Sequence, residues 1–568
     1  ELLARDWRTD GTSGYVFMNE VGALLHDPAG EAPLTQLWVE RSGSSSGFED
    51  EERSARRRIP QELLAADFNA CAHALHAIAR SEAKSRDWTL GAIRRVLTEL
   101  LVHFPVYRTY ADARGRSRED AAIMLRVVVE AQRTCRPGER ALVELIDRWL
   151  GGEAPQAASG ATAVRLRLRA LARFQQLTSP VAAKSVEDTA FYRHGRLLSR
   201  NEVGANPGQF TLSADAFHQL CSERLRRYPL AMLATATHDH KRGEDLRARL
   251  AVLSEMPQAW TSAARRWSEL NALLKPQHDS VKGPDATDEY ILYQMLVGAW
   301  PLNLQADDAE GLQDLSERLA AWQEKAVREA KRRSGWIEPN LAYELACKEF
   351  LQALLDPARA PGFLRELQAF VERIAVAGAV NSFTQTLLRL TTPGVPDLYQ
   401  GTELWDFSLV DPDNRRPVDF AARAAALAEQ LPLSTLLEGW RDGRFKQRLI
   451  AQTLRARAAA PELFARGVYL PLKVRGTAAA HVLGFVRAHG DRALLVATSL
   501  YPSALLGDAA MPAIPPQRWA DTVLLMPPHL RQRRWHNVLT DAALEPSGAE
   551  LRIAQLFAEL PVAILVGG

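Results

Sequence analysis

The apolar run Leu230-Ala231-Met232-Leu233-Ala234 gives way to Thr235-Ala236-Thr237-His238-Asp239-His240-Lys241-Arg242, after which a charged helix pattern opens at Gly243-Glu244-Asp245. A short buried strand followed by a helix with Leu246, Leu250 and Leu253 on one face reads as one unit of an α/β fold. Polar side chains at the C-terminal mouth of a parallel strand are where α/β barrels hold their active sites. Two readings of the His-Asp pair follow. In one, Asp239 caps the helix and His238 bonds a neighbouring loop; in the other, the pair does chemistry.

At 568 residues the chain exceeds one ordinary core and should form two to four units. Its 70 Lys and Arg against 68 Asp and Glu leave a net charge of +2, which calls for no nucleic acid and no membrane as partner. Cys71, Cys135, Cys221 and Cys347 are widely spaced; buried thiols are expected rather than a disulfide framework or zinc site. No apolar run reaches the roughly 18 residues of a membrane span, and no basic region followed by an apolar core opens the chain. A cytoplasmic protein is expected. The chain starts at Glu1 rather than Met, as a fragment whose beginning lies upstream would.

The pattern then divides the chain. Residues 1–47 carry strand-like pieces at Tyr15-Val16-Phe17 and Leu34-Thr35-Gln36-Leu37-Trp38, separated by glycine turns, and end in a Ser/Gly break. Residues 48–229 are helical, with three- and four-residue periods from Leu63 to Ala79 and from Ala121 to Gln132; the Gly-rich stretch 151–160 reads as a flexible turn between two of these helices. Residues 230–254 form the strand and helix described above, and 255–379 are a second helical block holding Lys331-Arg332-Arg333-Ser334-Gly335-Trp336. In 380–465, Thr392-Pro393-Gly394-Val395-Pro396-Asp397 forces tight turns around a very short strand. Residues 466–568 alternate short apolar runs with Gly, Pro and Asp turns, as a small antiparallel β-domain does.

The loop beyond the second strand crowds Trp405, Asp406, Asp411, Asp413, Asn414, Arg415 and Arg416. It reads either as a solvated set of paired charges or as a sugar site, where a ring face packs on the C–H face of the sugar and charged side chains hold its hydroxyls. Lys241 and Arg242 similarly read as ion-pair partners of Glu244 and Asp245, or as groups orienting carboxylates or substrate hydroxyls. Lys331 and Trp336 sit on a solvated helix end or on a lid.

Thr237-His238-Asp239 with 241–249, together with Gly394-Val395-Pro396-Asp397-Leu398-Tyr399-Gln400-Gly401-Thr402-Glu403, resembles the late motifs of the α-amylase superfamily. The finer resemblance is to the malto-oligosyltrehalose synthase family. Phe104-Pro105-Val106-Tyr107-Arg108-Thr109-Tyr110, residues 186–193, Asn201-Glu202-Val203-Gly204 and residues 405–419 carry it, and it spans nearly the whole chain.

The resemblance implies an α/β fold: the later strands of a partial (β/α)8 TIM barrel with large helical insertions, and a C-terminal antiparallel β-sandwich. It implies an isomerase that moves the reducing-end α-1,4 linkage of a maltooligosaccharide to an α,α-1,1 linkage, through a glycosyl-enzyme made by one carboxylate and assisted by a second acting as acid and base. Asp239 then matches the third carboxylate, which stabilises the transition state, with His238 beside it as a donor to the sugar. Tyr15, Lys241, Arg242, Lys331, Trp336, Tyr399, Glu403, Trp405 and Arg415 are implied substrate contacts. No cofactor and no metal are implied, and a trehalose-releasing hydrolase is the functional partner.

Gly11-Thr12-Ser13-Gly14-Tyr15-Val16-Phe17 matches the family's Gly-Thr-Thr-Gly-Tyr-Asp-Phe segment, which follows the nucleophile and the acid/base. Both are therefore expected upstream of Glu1, with Glu1 itself in a loop and residues 1–568 alone inactive. Val16 replaces the Asp of that segment, and His240 stands where Thr is usual. A hydrolase of the same superfamily and a noncatalytic glycan-binding fragment are the alternatives.

Overall fold

Side chains recurring every three or four residues put most of 48–182 into helices. The computed structural model describes residues 3, 7–44 and 47–567, and these divide into two compact units. Glu1 lies outside the described residues.

The first unit gathers the described residues of 1–9, 45–194 and 329–335. Its helices run Phe48–Arg58, Ala65–Ser81, Leu90–Val102, Arg118–Thr134, Arg140–Asp147 and Ala161–Ala182, so the periods read at 63–79 and 121–132 are helical. Leu75, Ile78, Val96, Leu100, Val127, Ile146, Phe174 and Leu177 form one core from five of these helices. Each such side chain removed from water contributes about 1.5–3 kcal/mol before the entropy of ordering is set against it. Hydroxyl caps start two helices: Thr89 accepts from Ala92 N and Ser117 from Asp120 N. Residues 151–160 connect two helices, as expected.

The second unit comprises 10–44, 195–328 and 336–567. Here two strand expectations fail. Tyr15-Val16-Phe17 lies in helix Tyr15–Leu24 and Leu34–Trp38 in helix Glu31–Ser42. The physical reason is the spacing of the buried groups: Phe17, Val21 and Leu24 in one, Leu34, Leu37 and Trp38 in the other, one stripe on a 3.6-residue helix rather than alternate faces of a strand. Gly14 begins the first helix at φ +95°, and a β-carbon there would sit 2.6 Å from Ala234 N. Only glycine lets this turn press against the strand end.

The strand at 230–234 is present as Met232–Leu233 and pairs in parallel with Val395–Pro396, Met232 opposite Val395. Gly394 makes the approach possible, at φ +139° with its β-position 2.6 Å from the Leu233 side chain. Among the described residues this parallel sheet has two strands. The helix Glu244–Ala251 follows the first strand. It is not amphipathic as expected: every residue in it is buried, the charged ones included.

Helices Pro257–Leu270, Ala286–Ala299, Ala309–Ala330, Leu341–Leu354 and Pro361–Thr391 make up the second helical block. The last continues past residue 379, where a strand-and-loop segment was expected to begin. Residues 374–391 are buried all round, so Asn381, Ser382, Thr384, Gln385 and Arg389 are core residues and no polar stripe marks the helix in the sequence.

In 466–567, Val468–Pro471, Val482–His489, Arg492–Ser499 and Val562–Gly567 are the long members of a six-stranded antiparallel sheet. A second, three-stranded antiparallel sheet contains Val474–Arg475, Val523–Leu525 and Glu550–Arg552. Leu524 of the smaller sheet packs into the space above Gly484 of the larger. Three cysteines are buried as expected, whereas Cys135 is only partly so. No helix among the described residues is long and apolar enough to cross a membrane.

Candidate active site

Residues 237–242 leave the first parallel strand as a turn, and each polar group in that turn has a defined place. Asp239 N donates to Thr237 Oγ1 at 3.1 Å, and Tyr15 OH shares a hydrogen bond with the same Oγ1 at 3.1 Å. Asp239 is half-buried and His238 exposed. Arg415 Nε donates to His238 O at 3.0 Å. The carboxylate of Asp239 therefore stands at the C-terminal end of a parallel strand with Tyr15 and Arg415 holding the turn beside it.

The helix-cap reading of Asp239 is excluded. Gly243 is the N-cap, and it has no side chain to offer. The missing cap comes from Asp406, far along the chain: its Oδ2 accepts from Glu244 N at 3.3 Å and its carbonyl from Asp245 N at 3.2 Å. A carboxylate at the positive end of the helix dipole supplies what the glycine cannot. Asp406 N donates in turn to Asp245 Oδ2 at 2.6 Å.

Lys241 and Arg242 are buried, and both backbone amides donate to one carboxylate, Glu202, at 2.7 and 3.2 Å. Glu202 also takes Arg247 Nη1 at 3.2 Å. Arg242 Nη1 donates to Asn201 O at 2.9 Å. Glu202 is thus the inner support of the whole turn. The sequence had marked Asn201-Glu202-Val203-Gly204 only as a family-like string, with no role.

Glu244 and Asp245 have their cations elsewhere. Lys446 Nζ lies 2.6 Å from Glu244 and 2.8 Å from Asp245, and Arg389 Nη1 lies 3.0 Å from Glu244. Burial pushes the Glu244 carboxyl up, but Lys446 and Arg389 outweigh it and hold the group low. Burial raises Asp245 to about 6 against the pull of Lys446, with Glu244 adding repulsion. No sequence signal links positions 244, 389 and 446, because their meeting is made by helix packing.

His240 is sealed in the interior. Its Nδ1 accepts from Thr237 N at 3.2 Å, its Nε2 lies 3.0 Å from Ser408 Oγ, and its carbonyl accepts from Asn414 Nδ2 at 3.2 Å. Tyr399 meets the ring edge-on, centroids 6.1 Å apart. Burial lowers the His240 pKa, despite Asp406 and Glu202 nearby. Beside it the loop after the second strand walls a cavity of about 600 Å³, with Tyr399, Trp405, Phe407, Ser408, Arg318 and Asn414 among its lining. That volume suits a small ligand.

The remaining expected contacts are distributed as follows. Tyr399 OH donates to Asn414 O at 3.1 Å, and Trp405 Nε1 to Trp440 O at 3.0 Å. Glu403 accepts from Arg423 Nε at 3.2 Å. Tyr15, Tyr399, Trp405, Glu403 and Arg415 all lie in the second unit with Asp239. Lys331 lies in the first, at φ +51°, its Nζ donating to Asp188 O at 2.7 Å and Thr189 Oγ1 at 3.0 Å. Trp336 is in the second unit, 53% exposed, with the Arg328 guanidinium 4.9 Å from its ring. Val16 is exposed. Among the described residues, no group of three His, Cys, Asp or Glu is placed to hold a metal.

A scan against protein-family models gives no match. A curated Mycobacterium tuberculosis protein bearing the name maltooligosyl trehalose synthase, found in strains CDC 1551 / Oshkosh and H37Rv, is 36% identical over 574 residues; the match takes in 100% of this chain and 64% of the relative. The solved maltooligosyltrehalose synthase of Arthrobacter ramosus superposes with a TM-score of 0.80 at 32% identity, over 100% of this chain and 65% of that one. A hypothetical maltooligosyl trehalose synthase from Sulfolobus tokodaii gives 0.71 at 25% identity, over 100% and 64%. The chain spans just under two thirds of the length of these relatives. In sequence and in fold, it resembles the maltooligosyl trehalose synthases from end to end.

Proposed function

We propose that this chain is the part of a maltooligosyl trehalose synthase that carries the transition-state-stabilising carboxylate, Asp239, and much of the sugar-binding surface. The reaction is an intramolecular transfer that turns the reducing-end α-1,4 linkage of a maltooligosaccharide into an α,α-1,1 linkage. The observation that carries the reading is the half-buried Asp239 carboxylate at the C-terminal end of a parallel strand, in a turn held by Tyr15 and Arg415. As positive charge develops on the sugar in an oxocarbenium-like transition state, a fixed carboxylate stabilises it more than it stabilises the ground state. His238, exposed beside it, donates to sugar hydroxyls. Tyr399, Trp405, Glu403 and Arg415 line the approach, and Lys241 and Arg242 keep the turn in shape from behind. Trp336 completes the substrate contacts of this unit. The nucleophile and the acid/base are assigned to no residue of this sequence.

The parallel pair belongs, in this reading, to a (β/α)8 barrel. In support, Met232 and Val395 face each other in register and are 43% and 42% exposed, with Leu230 beside them, an apolar surface that further strands would cover. The product keeps its trehalose unit attached to the glucan, so a hydrolase that releases trehalose is the functional partner, and both act in the cytoplasm.

The test is product analysis with maltopentaose and the full-length protein. A nonreducing product of unchanged chain length is expected. Glucose and shorter maltodextrins with no nonreducing product would establish a hydrolase instead.

A further inference from the structure

One buried ion pair pins both ends of the turn that carries Asp239. Arg247, on helix Glu244–Ala251, donates through Nη2 to Thr235 O, where the turn leaves the strand, and through Nη1 to Arg242 O, where it nears the helix. The same Nη1 lies 3.2 Å from Glu202 Oε2. Glu202 completes the closure: its Oε1 accepts from Lys241 N at 2.7 Å and from Val203 N at 2.9 Å, and its Oε2 from Arg242 N at 3.2 Å. At 2% and 6% exposure, Glu202 and Arg247 are sealed behind the turn, away from any substrate. What the pair holds is therefore backbone as well as its own charge, and Asp239 lies between the points so held. Bonds in which one partner is ionised are about twice as strong as neutral ones.

We infer that Glu202 is a positioning residue for the transfer reaction: by closing the turn through Lys241 N, Arg242 N and Arg247, it fixes the Asp239 carboxylate without touching the sugar itself. The inference rests on the proposed role of Asp239. A carboxylate that acts on developing charge has to be fixed in place beforehand, and a displacement of about 1 Å costs up to about 100-fold in rate.

Steady-state kinetics on maltopentaose with the full-length protein test it, with the nonreducing product as readout. Glu202→Gln keeps the shape and one carbonyl oxygen but sets an amide NH2 against donors that now meet an oxygen. It should lower kcat about tenfold and leave KM within about twofold of the parent, because the lost contacts serve the transition state rather than substrate binding. Added to Asp239→Asn, it should lower the rate further by less than about twofold, since a residue that works through Asp239 then has nothing left to position. A role in folding alone would give the same loss in both backgrounds. Arg247→Lys, whose single ammonium cannot span Thr235 O and Arg242 O as one planar fork does, should repeat the pattern where Glu202→Gln fails to fold. Equal losses in both backgrounds, an unchanged kcat in Glu202→Gln, or no folded protein from either variant would overturn the inference. An Asp239→Asn rate equal to the parent's would overturn the reading of Asp239 and this inference with it; that failure shows in the single Asp239 variant, whereas a failure of the inference alone leaves that variant impaired.

Discussion

Lys446 Nζ lies 2.8 Å from Asp245 Oδ2, and both side chains are shut off from solvent. Because Lys446 also meets Glu244 at 2.6 Å, one ammonium serves two carboxylates at the start of the helix behind the Asp239 turn. Removing one member of a buried ion cluster leaves uncompensated charge, at about 3–5 kcal/mol. Lys446→Met should therefore lower the thermal midpoint sharply, with loss of near-ultraviolet circular dichroism in the same transition. A midpoint equal to that of the parent chain would show that the cluster adds nothing net.

Asp239→Asn separates chemistry from stability. The side chain is half-buried in a turn held largely by backbone groups, so the folded state should survive with an unchanged midpoint. In the full-length protein the rate of transfer should fall about 100-fold or more, the usual scale for removing a preorganised group that acts on developing charge. Rates within a factor of about two of the parent would take Asp239 out of the catalytic set.

Glu255 gives a pH signature. Part of the residue reaches the surface, but its carboxyl Oε1 is sealed without a hydrogen-bond partner while Oε2 accepts from Ser503 N at 2.7 Å. Burial raises its pKa from 4.5 to about 8. The folded state holds this proton more tightly than the unfolded chain does. Its stabilisation is complete below about pH 4.5 and is lost as pH rises through about 8, at about 1.4 kcal/mol per pH unit inside that window. Glu255→Gln should flatten the fall of a denaturant-midpoint profile between about pH 4.5 and 8. An identical profile in the variant would rule Glu255 out as its source.

Gly14→Ala asks for a β-carbon at φ +95° and 2.6 Å from Ala234 N. Strain and clash together should cost more than about 2 kcal/mol. The strand end carries the Asp239 turn, so hydrogen exchange at Ala234 and Thr235 should quicken in parallel; unaltered exchange would show that the helix start and the strand end are independent.

Much of the local structure was legible from residue spacing. The helices of 48–182 follow their three- and four-residue periods, and Leu230–Ala234 and Gly394–Pro396 marked both members of the parallel pair. Leu34–Trp38 misled because an apolar run of five residues fits a strand as well as one helical stripe, and nothing local breaks the tie. Helix Pro361–Thr391 outran its expected end because full burial erases the polar face that periodicity needs. Asp239 was singled out by its motif, and its role is the one proposed above. Glu202 and Ser408 were given no role, and Asn414 only a place in the crowded loop, since a hydrogen-bond partner about 40 or 170 residues away leaves no spacing to read.

Local order, the helical periods, the glycine turns and the resemblance to a family follow from this sequence by itself, because each depends on residues that are neighbours in the chain. The duties of the polar residues were decided only by tertiary structure. Asp239 is not a helix cap, because Asp406 fills that place from the far side of the second helical block. Lys241 and Arg242 are held through their amides by Glu202, and the ion pairing of Glu244 and Asp245 falls to Lys446 and Arg389. A buried charge or amide takes the partner that packing brings within 3 Å, and packing is a property of the whole fold.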